Sequence, residues 1–203
     1  MITGAKLIFN RLVKNNVTSA FVYSGGSIMP VIDQFYKNDK IKYYINTHEQ
    51  STGHSATGYA KASGKTGVCI VTSGPGITNM ITPMLDATND STPLVVLSGQ
   101  VSKSALGTNA FQEAPAVNIT KNVSKWSYQL QNISDINSVI DKAFEIANHG
   151  KKGAVHIDIP KDISSGEFDS SELSKLKLPE LKSLPTFNKK IADKMIDGYE
   201  TLN

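Results

Sequence analysis

Apolar residues recur at Ala5, Ile8, Phe9, Leu12 and Val13, the spacing of one helix face, and the next segment, Ala20-Phe21-Val22-Tyr23, is a short apolar run that stops at Gly25-Gly26. The pattern predicts helix, strand and glycine turn, and it then repeats. A helix is predicted from near Pro30, a strand around Lys42 to Asn46, a helix from about Gln50 to Ala62 and a strand over Val68 to Thr72. Ser73-Gly74-Pro75-Gly76 makes a further glycine turn that opens a helix through Leu85, followed by a strand from Pro93 to Ser98. Beyond these come a strand over Trp126 to Leu130, a helix over Ile136 to Ala147 capped at Gly150, and a strand over Ala154 to Ile159 stopped by Pro160. Nearly continuous apolar strands that alternate with helices predict an α/β fold, doubly wound, with a mainly parallel six-stranded sheet and helices on both faces.

Past Pro160 the chain turns to Ser, Lys, Glu and Pro with little periodicity. This divides it into a folded domain over 1–165, an exposed linker over 166–186 and a stretch over 187–203 whose Ile191, Met195, Ile196 and Tyr199 are spaced as on a helix. No internal repeat is present.

With 203 residues, 39% of them hydrophobic, the chain can bury one sizeable core. Its 21 basic and 18 acidic residues are spread along the sequence, so no basic patch marks a nucleic-acid partner. Cys69 lies inside the apolar run Val68-Cys69-Ile70-Val71, where burial is the expectation and a disulfide is not. The start, Met1-Ile2-Thr3-Gly4-Ala5-Lys6, has no charged leader, and no window reaches membrane-spanning length. A soluble cytoplasmic protein without membrane contact is expected.

In open α/β sheets ligands bind beyond the carboxyl ends of the strands, so the strand-to-helix turns carry the candidate chemistry. Three are unusual: Ser24-Gly25-Gly26, His48-Glu49-Gln50 and Ser73-Gly74-Pro75-Gly76. The third nearly spells a dinucleotide fingerprint, but Asn79 replaces its last glycine and Pro75 has no amide hydrogen. It offers instead close backbone approach to a flat ligand, with Asn79 one helical turn along. Glu49 stands where a strand enters a helix, and taken alone it reads most simply as a partner of the helix dipole. Zinc is excluded by spacing, since Thr52 stands four residues after His48 where a second ligand is needed, and no metal ligands are assigned.

Seven segments in register resemble the acetolactate synthase family: Phe21 to Pro30, His48-Glu49-Gln50, Gly58-Tyr59-Ala60, Val71 to Asn79, Pro93 to Gln100, Ala110-Phe111-Gln112-Glu113 and Asp158 to Asp162. The resemblance runs from about residue 2 to 165 and makes that stretch a thiamine-diphosphate pyrimidine-binding domain. It implies that Glu49 hydrogen-bonds N1′ of the aminopyrimidine, so that the 4′-amino group becomes the base that removes the thiazolium C2 proton. It further implies that Pro75, Gly76 and Asn79 line the aminopyrimidine, while Gly25, Gly26, Phe111, Gln112 and Lys125 form the substrate side. The implied reaction is decarboxylation of pyruvate and addition to a second 2-keto acid. FAD enters by the same resemblance, with Lys151 where the family has a flavin-contacting arginine; lysine keeps the charge and loses the planar fork. Ser24 also departs from the family's proline.

Family members are much longer. Their magnesium and diphosphate are held by a Gly-Asp-Gly to Asn-Asn motif that these residues lack, so Mg²⁺ ligands are expected outside this chain. The chain stops within a stretch resembling the start of the family's middle domain, and a fragment or truncated reading frame is expected. The family's sites lie between chains, which implies a homodimer or a partner chain that supplies the diphosphate domain. Two further readings stay open: the α-type subunit of a split thiamine-diphosphate decarboxylase, and a non-catalytic binding remnant.

Overall fold

A computed structural model of the chain describes residues 1–169, 176–184, 189, 190, 193 and 194. The apolar positions of the predicted terminal helix, Ile191, Met195, Ile196 and Tyr199, lie outside the described residues.

The elements run β1 (Ile2–Thr3), α1 (Gly4–Lys14), β2 (Ser19–Val22), α2 (Met29–Tyr36), β3 (Lys42–Ile45), α3 (Glu49–Ser63), β4 (Gly67–Val71), α4 (Pro75–Thr78) and α5 (Ile81–Asn89). They continue with β5 (Leu94–Gln100), α6 (Ala116–Thr120), β6 (Trp126–Gln129), α7 (Ile136–Asn148), β7 (Ala154–Pro160), α8 (Lys161–Ser165) and β8 (Glu167–Phe168). Six strands form one sheet in the order β3-β2-β4-β5-β7-β6, and every pairing in it is parallel. The predicted six-stranded α/β sheet is thus the observed one.

The period-two alternation of the strands builds two cores. Val68 and Ile70 of β4 join Val95 and Leu97 of β5 under α1, α2 and α7, where Ile8, Phe9, Leu12, Phe35 and Val139 are buried. Cys69 and Val71 face the other way with Val96, against Ala56 of α3 and Met84 of α5. Phe9 and Phe35 meet edge to face, with ring centroids 5.1 Å apart.

Two features differ from the sequence-based expectation. The helix predicted to run from the Gly74 turn through Leu85 is broken into α4 and α5 at Asn79 and Met80. Pro83 explains the break: in a continuous helix its ring would strike the carbonyl of Asn79 four residues back, whereas in the first turn of α5 its missing N–H is not needed. Glu167–Phe168, inside the predicted linker, pairs antiparallel with β1, Ile2 opposite Phe168. No helix among the described residues is long and apolar enough to cross a membrane.

The strand order reverses direction between β2 and β4. From β2 the chain winds outward to the edge strand β3, then returns to place β4 on the opposite side of β2. The crevice beyond the carboxyl ends of β2 and β4 is therefore a topological switch point, where this class of sheet leaves room for a ligand.

Candidate functional site

The turns that follow β2 and β4 are locked together at this crevice. A Cβ on Gly25 would come within 2.4 Å of Thr72 Cβ, so only glycine allows the two backbones this close. Ser27 Oγ lies 2.9 Å from Thr72 Oγ1 and accepts from the Ser73 amide at 3.0 Å. At Gly26, by contrast, a Cβ would meet nothing within 4 Å.

Gly74 has φ +56°, and a Cβ there would lie 2.9 Å from Cα of Gln112. Glycine is required on both counts, and its absence of a side chain seats Gln112 directly on the turn. Gln112 is itself left-handed at φ +58°, and its neighbour Phe111 is 88% exposed. The structure therefore brings the Phe111-Gln112 pair to the Gly74-Pro75-Gly76 turn. Pro75, exposed, opens α4, and Gly76 packs on the Thr72 methyl group.

Glu49 is the first residue of α3, after His48, whose extended backbone and Nδ1 acceptor cap the helix by taking the Gln50 amide at 3.1 Å. The Glu49 residue is only 6% exposed. Asn79, at the break between α4 and α5, donates from Nδ2 to Glu49 Oε2 at 2.9 Å. Oε1 takes no hydrogen bond from the described residues. Nearby, Asn46 Oδ1 at the end of β3 is buried without a partner among the described residues. Glu49, Pro75, Gly76, Asn79, Gly25, Gly26, Phe111 and Gln112 thus gather at one end of the sheet. A buried carboxylate with one oxygen fixed and the other unpaired can share a proton with a basic ring atom.

Comparison with known proteins decides the family. The profile described as "Thiamine pyrophosphate enzyme, N-terminal TPP binding domain" matches residues 2–120, more than half of the 203 residues. The chain belongs to this family. It is 41% identical over 200 residues to "Acetolactate synthase, mitochondrial" of Schizosaccharomyces pombe, a match covering 98% of this chain and 29% of that protein. It is 44% identical over 178 residues to "Acetolactate synthase catalytic subunit, mitochondrial" of Saccharomyces cerevisiae, covering 88% and 26% respectively. With "Acetolactate synthase large subunit" of Corynebacterium glutamicum it shares 44% over 184 residues, covering 91% and 29%. The chain spans less than a third of the length of these curated relatives.

Two residues that the resemblance assigns to the site do not join it. Lys125 immediately precedes β6, at the amino end of the sheet, about 15 Å of strand away from the carboxyl ends. Its ammonium donates to Ile146 O and, at 2.6 Å, to His149 O, so it caps the carboxyl end of α7. Burial lowers its pKa from the ordinary lysine value. The substrate-side role inferred from the resemblance is corrected accordingly. Lys151 is exposed in the loop before β7, also at the amino end. The lysine that the topology does deliver to the carboxyl end is Lys161, the first residue of α8. It stands in the Asp158 to Asp162 segment that carries the resemblance, directly after a predicted strand, which is the sequence signal for its place.

A buried polar network that the sequence did not announce lies beneath this end of the sheet. Ser98 Oγ donates to Asp158 Oδ1 at 2.8 Å and lies 2.8 Å from His156 Nε2, while His156 Nδ1 faces Thr120 and Ser127 hydroxyls at 2.9 Å. Burial lowers the His156 pKa to about 3 and raises that of Asp158 to about 6, the latter partly offset by hydrogen bonds from Gln129, Ser98 and Gln100. Neutral His156 and its hydroxyl partners form a closed hydrogen-bonded set. A cleft of about 470 Å³ lined by Thr18, Lys40, Tyr59 and Lys65 opens at the amino end, away from Glu49. Among the described residues no three His, Cys, Asp or Glu side chains gather as a metal site.

Proposed function

We propose that this domain supplies the aminopyrimidine half of a thiamine-diphosphate site in an acetolactate-synthase-like carboligase acting on pyruvate and a second 2-keto acid. The observation that carries the proposal is the buried Glu49, its residue 6% exposed, with its carboxylate held at Oε2 by Asn79 and unpaired at Oε1 among the described residues. Those features suit a flat ring that carries a protonatable nitrogen. Bound thiamine diphosphate would supply a thiazolium carbon that adds to the keto group and takes up the electron pair left by decarboxylation. Glu49 would share a proton from its unpaired Oε1 with the ring nitrogen of a bound aminopyrimidine. Asn79 fixes the carboxylate so that this proton has one address, and the pinned turns after β2 and β4 keep the backbone close to the ring. Phe111 and Gln112 would stand on the substrate side.

Magnesium and the diphosphate are held, on this proposal, by residues of a second domain or chain, and pairing as a homodimer or with such a chain completes the site. FAD fits these residues poorly. Lys151 is exposed at the amino end of the sheet and lacks the fork of an arginine.

The test is calorimetric titration of thiamine diphosphate and Mg²⁺ into the chain alone, and into the chain mixed with the diphosphate-binding domain of an acetolactate synthase, with pyruvate turnover followed in the mixture. Binding and acetolactate formation are expected in the mixture, with Glu49→Gln retaining binding and losing at least about 100-fold in turnover. Tight binding to the chain alone, or full turnover by Glu49→Gln, overturns the proposal.

A further inference from the structure

The period-two alternation of β5 and β7 puts Ser98, Gln100, His156 and Asp158 on one face, and the register sets Ser98 opposite Asp158 and Gln100 opposite Pro160. Gln100 is the last residue of β5 and is 1% exposed. From one amide nitrogen it donates to Asp158 Oδ2 at 3.2 Å and to Ala114 O at 2.9 Å, while its own Oε1 accepts from the Val101 amide at 2.9 Å. Asp158, fully buried, also accepts from Ser98 at 2.8 Å and from Gln129 Nε2 at 2.8 Å. Each polar atom of the Gln100 side chain is therefore committed, and one of its donations leaves the sheet to hold a loop backbone.

That loop is the segment carrying Phe111 and Gln112. Its tip is internally braced: Glu113 accepts from the Gly107 amide at 2.5 Å and from the Ala110 amide at 3.2 Å, and left-handed residues at Gly107, Asn109 and Gln112 bend the chain back on itself. A braced tip moves as one piece, so its position depends on where it is attached. One attachment is the seat of Gln112 against Gly74, and another is the bond from Gln100 to Ala114, two residues further along. The entry to the loop is pinned separately, by Asp162 accepting from the Lys103 amide at 3.0 Å.

We propose that Gln100 and Asp158 are positioning residues: Asp158 orients the Gln100 amide, and Gln100 holds Ala114 so that Gln112 stays seated on the Gly74-Pro75 turn beside Glu49. The functional consequence rests on the aminopyrimidine reading of that turn, but the mechanical link does not. Asp158→Asn is the conservative variant, because its side-chain oxygen can still receive Gln100 and Gln129 while its NH₂ donates to Ser98. Gln100→Leu keeps the bulk and removes the link.

Hydrogen exchange followed by mass spectrometry on the 203-residue chain tests it without cofactor. Gln100→Leu is expected to speed exchange at loop amides 107–114 by tenfold or more while leaving β4 and β5 amides at the wild-type rate, and Asp158→Asn is expected to keep the loop near wild type. A merely structural role would loosen core and loop together. Unchanged loop exchange in Gln100→Leu, or an equal rise across β4 and β5, overturns the positioning role. Failure of Glu49→Gln to affect turnover in the complemented assay would instead remove the cofactor reading and leave this link standing.

Discussion

Asn79 reaches Glu49 at 2.9 Å because Pro83 ends the helix that would otherwise carry Asn79 past it. The proline and the hydrogen bond are one device: the break between α4 and α5 places a side-chain amide at the start of α3, and Pro83 then packs against Gly53 of α3, where a Cβ would sit 2.5 Å from its ring. Asn79→Leu, which fills similar volume and cannot donate, leaves Glu49 Oε2 buried and unsatisfied. It is expected to lower stability by about 1–3 kcal/mol in urea unfolding and to reduce turnover in the complemented enzyme. An unchanged urea midpoint would show that Oε2 is served by water instead.

Gly53→Ala tests the other half of that device. The added methyl meets Pro83 Cγ at 2.5 Å, Pro83 Cβ at 2.6 Å and Met80 Cε at 2.8 Å. Met80 can swing aside; the proline ring cannot, so α3 and α5 must separate. A loss of about 1–3 kcal/mol is expected. Gly58→Ala on the same helix, where a Cβ meets nothing within 4 Å, should be neutral or slightly stabilising, about 0.5–1 kcal/mol by helix propensity. Thermal unfolding of the pair separates close packing from backbone propensity.

The six strands were legible in the sequence because β4, β5 and β7 are short apolar runs bounded by glycine or proline, and the parallel sheet follows from their alternation with helices. The residues that gather around Glu49 were legible as turn chemistry and, through the family resemblance, as a set. The β1–β8 pairing was not, since Ile2 and Phe168 are brought together by the fold and a two-residue strand has no period. The bonds that join His156 and Asp158 to Ser98 were not legible either, because alternation tells which face a side chain takes and not which neighbours stand across the register. Lys125 came to the substrate side through the resemblance alone, whereas its position just before the strand that begins at Trp126 already puts it at the amino end of a parallel sheet.

The buried pair also sets the response to acid. Burial depresses the folded-state pKa of His156 to about 3, below its unfolded value of 6.5, so the stability linked to its neutral form is present above pH 6.5 and is lost as pH falls toward 3. Asp158 has the opposite sign: its folded pKa is raised to about 6, so its contribution is greatest below its ordinary value of 3.8 and declines as pH rises through 6. The wild-type chain should lose on the order of several kcal/mol on acidification from the His156 side, partly offset by Asp158. His156→Leu should flatten the acid limb, and Asp158→Asn should steepen it by removing the offset. Denaturant midpoints measured from pH 4 to 8 decide between these signs.

Lys125 separates stability from catalysis. Its ammonium closes the carbonyl end of α7, where a positive charge also complements the helix dipole. Lys125→Met keeps the stem that packs against Gly153 and removes the donors, so it should lower stability by about 1 kcal/mol, which for a chain of this length is a fall in Tm of about 2–4 °C. Because the residue stands at the amino end of the sheet, cofactor binding and pyruvate turnover in the complemented enzyme should stay at wild-type values. A raised KM for pyruvate with an unchanged Tm would return Lys125 to the substrate side and refute its assignment as a helix cap.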